Sequence, residues 1–295
     1  MKVAFWSNEF EKTYAFLNFV AISITCAMSS SNTITMFENY LGRDNFGKAY
    51  IPNYDNIHVR LGRSGLYHDK MHIKPEWTEL YEGGGMEGLL RRFYRGEYSP
   101  DILRAYLKEV IPYHLYYIPQ NRVINNELFD YELYNNLNEL FKIIDISSDM
   151  CFIHTLQQNH LSSNAILQEA DLIVINLIQN SEYLEYFFKN YYSLIPKSVF
   201  IIGNYSAKSI LSCKRISKLY DIPLENISPI PYNEDFYVAC NYMGAKEFIN
   251  NNYYCPRDSA HYLFIYGIRR AAHMIAKKYS ETLHLANREM ESCRV

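Results

Sequence analysis

Apolar positions along the chain fall into two alternating patterns. "KVAFWS", "MCFIHT", "LIVINL" and "SVFIIG" are nearly unbroken apolar runs of strand length. Such runs mark strands covered on both faces, as in a parallel sheet. They predict strands over 2–7, 115–118, 150–155, 171–177, 198–203 and 227–231. Between them apolar residues recur at helical spacing, predicting helices over 12–29, 87–95, 100–110, 130–144, 159–169, 181–190 and 206–220. A long terminal helix is predicted over 258–279. This alternation predicts an α/β fold, a doubly wound and mostly parallel sheet with helices on both faces. Residues 33–85 break the rhythm. They are rich in Gly, Asn, Asp and Tyr, which predicts loops with one short strand near 57–61 in an irregular insertion over one sheet edge. No repeat, low-complexity tract or linker divides the chain, so one domain over residues 1–295 is expected.

Composition narrows the function more than the fold. A net charge of −3 leaves no whole-chain electrostatic footprint for nucleic acid. Local basic faces do exist. Arg91, Arg92 and Arg95 share one predicted helix, and Arg269, Arg270, Lys277 and Lys278 share the terminal one. Each suits a solvated helix face, an anionic membrane surface or DNA. Tyr262, Phe264, Ile265, Ile268, Ala272 and Ile275 predict that the terminal helix docks on the sheet rather than in lipid. Six cysteines contain no C-x-x-C pair, so no metal or redox motif is predicted, and the usage suits a reducing cytoplasm. The apolar stretch 15–28 does not read as a signal peptide. Glu9 and Glu11 stand where a positive flank belongs, and Asn18, Ser23 and Thr25 interrupt it. Twenty-eight tyrosines suit either protein interfaces or a biased coding sequence.

The first strand, turn and helix occupy the place of a phosphate-binding loop. Such a loop needs glycines, so that backbone N–H groups can approach phosphate, followed by a lysine and a Ser/Thr. The turn "NEFEKT" has no glycine and two glutamates. Carboxylates beside a triphosphate oppose its binding. Lys12 and Thr13 suit a phosphate contact or an ordinary helix start. Gly83-Gly84-Gly85 suits an anion site at a helix N-terminus or simply a flexible lead into the helix.

Taken in order, these segments resemble the ParA/MinD-like P-loop ATPases, the SIMIBI-class group with a deviant Walker A loop. "KVAFWS" with "LNFVAIS" is similar to the first strand and the helix after the phosphate loop. "GGGMEGLLRR" resembles a segment of the short forms linked to pilus assembly and secretion. "EADLIVINLIQN" resembles the strand after the switch region, and "SVFIIGNYSAKS" the strand ending in an adenine-side Asn. "ISPIPYNEDFYVACNYMGAKEFI" resembles the family's ending. The likeness spans about 220 residues. It implies a nucleotide site at Lys12, Thr13, Asn18, Asn204 and Pro231, and ATP with Mg²⁺ if that site is retained.

Three departures from the family pattern predict that hydrolysis is lost and no cofactor is needed. The glycines of the loop are absent. "SDMCFIHT" resembles the switch strand, but His154 stands where the family has an aspartate beside the magnesium waters, and imidazole is a poor Mg²⁺ ligand. Lys12 is the only cation between Val3 and Gly42, so the second lysine that reaches across the family's dimer is also missing. His154 also suits a structural histidine, and no spacing ties it to His160. The expectation is a degenerate, cytoplasmic ParA/MinD-like scaffold with protein partners, as a monomer or homodimer. Three alternatives stay open: an ATPase with a non-standard loop, a DNA- or membrane-surface binder, and an unrelated α/β enzyme with its site elsewhere.

Overall fold

The computed structural model describes residues 1–7, 12–40, 46–50, 85–120, 125–156, 160–242 and 244–292. Among these, the strands are β1 (Lys2–Ser7), β2 (Ile34–Glu38), β3 (Lys108–Ile111), β4 (Leu115–Tyr117), β5 (Met150–Leu156), β6 (Leu172–Leu177), β7 (Ser198–Gly203) and β8 (Ile227–Ile230). They form one sheet in the order β3-β4-β2-β5-β1-β6-β7-β8. Only the β3–β4 pair is antiparallel. The helices are α1 (Lys12–Ser29), α2 (Phe46–Tyr50), α3 (Gly85–Tyr94), α4 (Pro100–Tyr106), α5 (Asn126–Ser147), α6 (Leu161–Glu169), α7 (Ser181–Asn190), α8 (Cys213–Tyr220), α9 (Glu234–Asn241), α10 (Ala245–Asn252) and α11 (Tyr262–Ser292). The expected α/β class therefore holds.

Strand alternation sorts the core into two layers. Val3, Phe5, Met36, Phe152, Val174 and Ile201 face α1 and α11. Their neighbours Ala4, Trp6, Phe37, Ile153, Ile175 and Ile202 face α5, α6 and α7. Because both faces are covered, the strands read as continuous apolar runs. Several helices start on an asparagine whose side chain accepts the first free N–H groups. Asn125 accepts from Glu127 and Leu128, Asn180 from Glu182 and Tyr183, and Asn233 from Phe236. α6 lacks a side-chain cap of its own at His160. Asp130 of α5 supplies it, accepting from Leu161 N–H (2.9 Å), Ser162 N–H (3.1 Å) and the Ser162 hydroxyl.

Several expectations need correction. The segment expected to be an irregular insertion over an edge begins with β2, which lies inside the sheet between β4 and β5. All five of its residues are buried. The short strand expected near 57–61 lies outside the described residues. The helix expected over 100–110 stops at Tyr106, and β3 follows at Lys108. The helix expected from 206 begins at Cys213, after turns. α9 and α10 lie in a stretch for which no element was predicted. The terminal helix docks on the sheet as expected, through Phe264, Ile265, Ile268, Ala272 and Ile275. No helix among the described residues is long and apolar enough to cross a membrane.

Candidate functional site

In a doubly wound sheet, ligands meet the carboxyl ends of the strands. Most of the expected site residues gather on that edge. β1 ends at Ser7, flanked in register by Leu156 of β5 and Asn176 of β6. α1 then starts at Lys12. The side chains of Lys12 and Thr13, and residues 8–11 before them, lie outside the described part. Asn204 and Pro231 each follow one member of the β7–β8 register pair Gly203–Ile230, so they lie side by side. Asn204 takes a left-handed φ of 48°, and Tyr205 N–H donates to Ile230 O at 3.1 Å. The edge therefore brings together residues distant in sequence.

Asn18 has a structural partner. It is buried in α1, and its amide donates to Asn176 Oδ1 at 3.1 Å. Asn176 in turn donates to the Trp6 carbonyl at 3.4 Å. The bridge ties α1 to β6 and β1.

His154 is fully buried on the face of β5 that meets α1. Its ring stacks on Phe19 with centroids 4.9 Å apart and 10° between planes. Phe16 and Tyr40 approach it at 6.2 and 5.3 Å. Tyr40 Oη and His154 Nδ1 share a hydrogen bond of 2.7 Å. Burial drives the imidazole down to about 3, so it is neutral at pH 7. Phe19 also meets Phe5 and Phe46, and Phe46 meets Tyr117, which extends the aromatic cluster. The ring Nε2 has no hydrogen-bond partner among the described residues.

Glu38 was not anticipated. It ends β2 opposite His154 in register and is fully buried. Its carboxylate accepts from Phe46 N–H (2.5 Å) and the Tyr117 hydroxyl (2.9 Å), while Gln120 donates to its backbone carbonyl. Burial outweighs these bonds and lifts the carboxyl to about 7. A terminal carboxylate in "ITMFE" carries no sequence signal of burial. The other face of this edge holds a second polar knot: Asn39 donates to the Ser162 and Ser163 hydroxyls, and Thr155 donates to Ser163. His160 Nδ1 stands 3.7 Å from Asp130. Among the described residues, three buried polar atoms on this edge have no partner: Ser7 Oγ, Asn39 Oδ1 and His154 Nε2.

The expected basic faces are largely engaged within the chain. Arg91 pairs with Glu87 and Arg92 with Glu97, each at 2.7 Å. The Arg269 guanidinium lies 4.8 Å over the Tyr253 ring and donates to the Tyr253 carbonyl. Arg270 donates to Leu224 O at 2.9 Å. Lys277 and Lys278 both reach Glu281. At the glycine run, of which only Gly85 is described, Met86 N–H already donates to Pro119 O at 2.7 Å. No cluster of metal-ligating side chains occurs among the described residues.

No protein-family model matches the chain, and no curated protein matches its sequence. Solved structures do match in fold. The chain is similar to a ParA family ATPase from Chlorobium tepidum, at 12% identity and a TM-score of 0.62, covering 92% of this chain and 98% of the other. It is also similar to the septum site-determining protein MinD complexed with Mg-ADP from Pyrococcus horikoshii (11%, TM-score 0.59, 93% and 96% covered). A third match is the MinC:MinD cell division protein complex of Aquifex aeolicus (11%, TM-score 0.57, 94% and 96% covered). At this identity the likeness is one of fold. The architecture is that of the ParA/MinD ATPases.

Proposed function

We propose that this chain is a catalytically degenerate ParA/MinD-like protein, acting in the cytoplasm as a positioning or scaffold module for protein partners of a pilus or secretion apparatus. The observation that carries the reading is His154. Where the family resemblance expects a carboxylate beside magnesium waters, this chain places a neutral imidazole stacked on Phe19 in an aromatic cluster. An imidazole is a poor ligand for Mg²⁺, a hard cation that prefers oxygen donors. The glycine-free turn before Lys12 and the absence of a second lysine point the same way. The pilus assignment rests on the resemblance of "GGGMEGLLRR" to the short forms. A partner-binding role accords with the neighbour whose structure is a MinC:MinD complex.

A second reading, an ATPase with a non-standard loop, has one observation in its favour. Ser7 Oγ, Asn39 Oδ1 and His154 Nε2 lie buried on the carboxyl edge without a partner among the described residues, and such groups call for a ligand, water or another compensation. Light scattering and phosphate release on the full chain separate the two. The degenerate reading predicts one molar mass with and without Mg-ATP, and phosphate release at the buffer background. A nucleotide-driven doubling of mass, or turnover abolished by Lys12→Ala, contradicts it.

A further inference from the structure

Many of the described cations are engaged within the chain, and three of them that form no ion pair stand together on α8. Its sequence "CKRISKLY" buries Ile216 and turns Lys214, Arg215 and Lys218 outward. These three form no ion pair among the described residues. With Ser212, Ser217 and Leu224 they line an open groove of about 500 Å³. Arg270 closes on the same place from α11, holding the Leu224 carbonyl at 2.9 Å. None of the lining residues is acidic; Asp221 and Glu225 flank the groove in sequence. Leu224 precedes β8, so the groove runs toward the amino end of that strand, away from the edge carrying Asn204 and Pro231.

We infer that this groove docks an acidic segment of a partner protein. Charge complementarity argues for an anion: three unpaired cations converge in a chain whose net charge is −3, so the patch is local and not a by-product of overall basicity. The apolar residues argue for a peptide. Leu224, which lines the groove, is 38% exposed, and Leu219 of α8, outside its lining, is 56% exposed. An apolar side chain between two carboxylates covers Leu224, whereas a sugar-phosphate backbone leaves it in water.

Fluorescence anisotropy of a short labelled peptide repeating Glu-Glu-Leu, titrated with the full chain, tests this. The expected result is saturable binding that weakens about tenfold in the Lys214→Glu/Arg215→Glu variant. Binding also weakens in Leu224→Ser, and it survives in Lys277→Glu/Lys278→Glu, which carries the same change of charge elsewhere. Melting curves confirm that each variant is folded. No binding, binding insensitive to Lys214 and Arg215, or displacement of the peptide by a trace of duplex DNA overturns the proposal.

Discussion

Replacing Gly267 by alanine is expected to lower the melting temperature by about 3–5 °C, although glycine to alanine normally stabilises a helix interior by roughly 1 kcal/mol. The reason lies in how α11 meets the last strand. Gly267 is buried against β8, and a Cβ there would stand 2.4 Å from the Pro229 carbonyl oxygen. It would also stand 3.3 Å from Ile230 Cα. Both are backbone atoms of a strand in the sheet, so neither can swing aside. The Ser228 hydroxyl donates to the Gly267 carbonyl at 3.0 Å and holds helix and strand at this separation. Overpacking a fixed contact of this kind costs about 3 kcal/mol, which outweighs the helix-propensity gain. Ser228→Ala, which removes the hydrogen bond without a clash, is expected to cost only about 1 kcal/mol. Equal melting temperatures for Gly267→Ala and the wild type would mean that α11 does not sit this close to β8.

His154→Phe is expected to make the chain more resistant to acid than the wild type, by unmasking the opposite gradient of Glu38. In the folded chain the imidazole titrates near 3, against 6.5 when unfolded. Its contribution is therefore complete above pH 6.5 and is lost as pH falls toward 3. The full gap corresponds to ~5 kcal/mol as an upper bound, at about 1.4 kcal/mol per pH unit. Glu38 has the opposite sign. Its carboxyl is raised from 4.5 to about 7, so its contribution is complete below pH 4.5 and is lost as pH rises through 7. Between about pH 4.5 and 6.5 the two gradients oppose each other and nearly cancel. Phenylalanine keeps the ring contacts with Phe16 and Phe19, and removes the histidine gradient together with the Tyr40 hydrogen bond, whose loss acts at both pH values. Urea midpoints at pH 7.5 and 4.5 read the outcome as the variant minus the wild type, because other carboxylates act equally on both. Between pH 7.5 and 4.5 that difference is expected to shift by about 2–3 kcal/mol in favour of the variant. A difference that does not change with pH would show that His154 stays accessible to protons.

What could be foreseen divides along the range of the interactions. β1 and β7 were legible to the residue, because a strand buried on both faces is an apolar run in any context. β2 was not. Thr35 and Glu38 make "ITMFE" look half-polar, and only the Tyr117 hydroxyl and the Phe46 N–H explain a carboxylate at a buried position. β3 looked like the end of a helix because four residues hold too little periodicity to decide. α9 starts at the Asn233 cap, a short-range signal that its modest length concealed. At the site, His154 was readable as a strand-end residue standing in for an aspartate. Its neutrality was not, since that comes from Phe16 and Phe19 of α1 and from Tyr40 beyond β2. Asn18 was taken toward nucleotide because of its place after the turn, yet its amide is occupied by Asn176, 158 positions away.

The central claim is that the ParA/MinD fold persists here without its nucleotide machinery. Titration calorimetry of Mg-ATP, and separately Mg-ADP, into the full chain tests it most directly. The account predicts no binding heat at millimolar nucleotide. A micromolar dissociation constant that disappears in Lys12→Ala would contradict it.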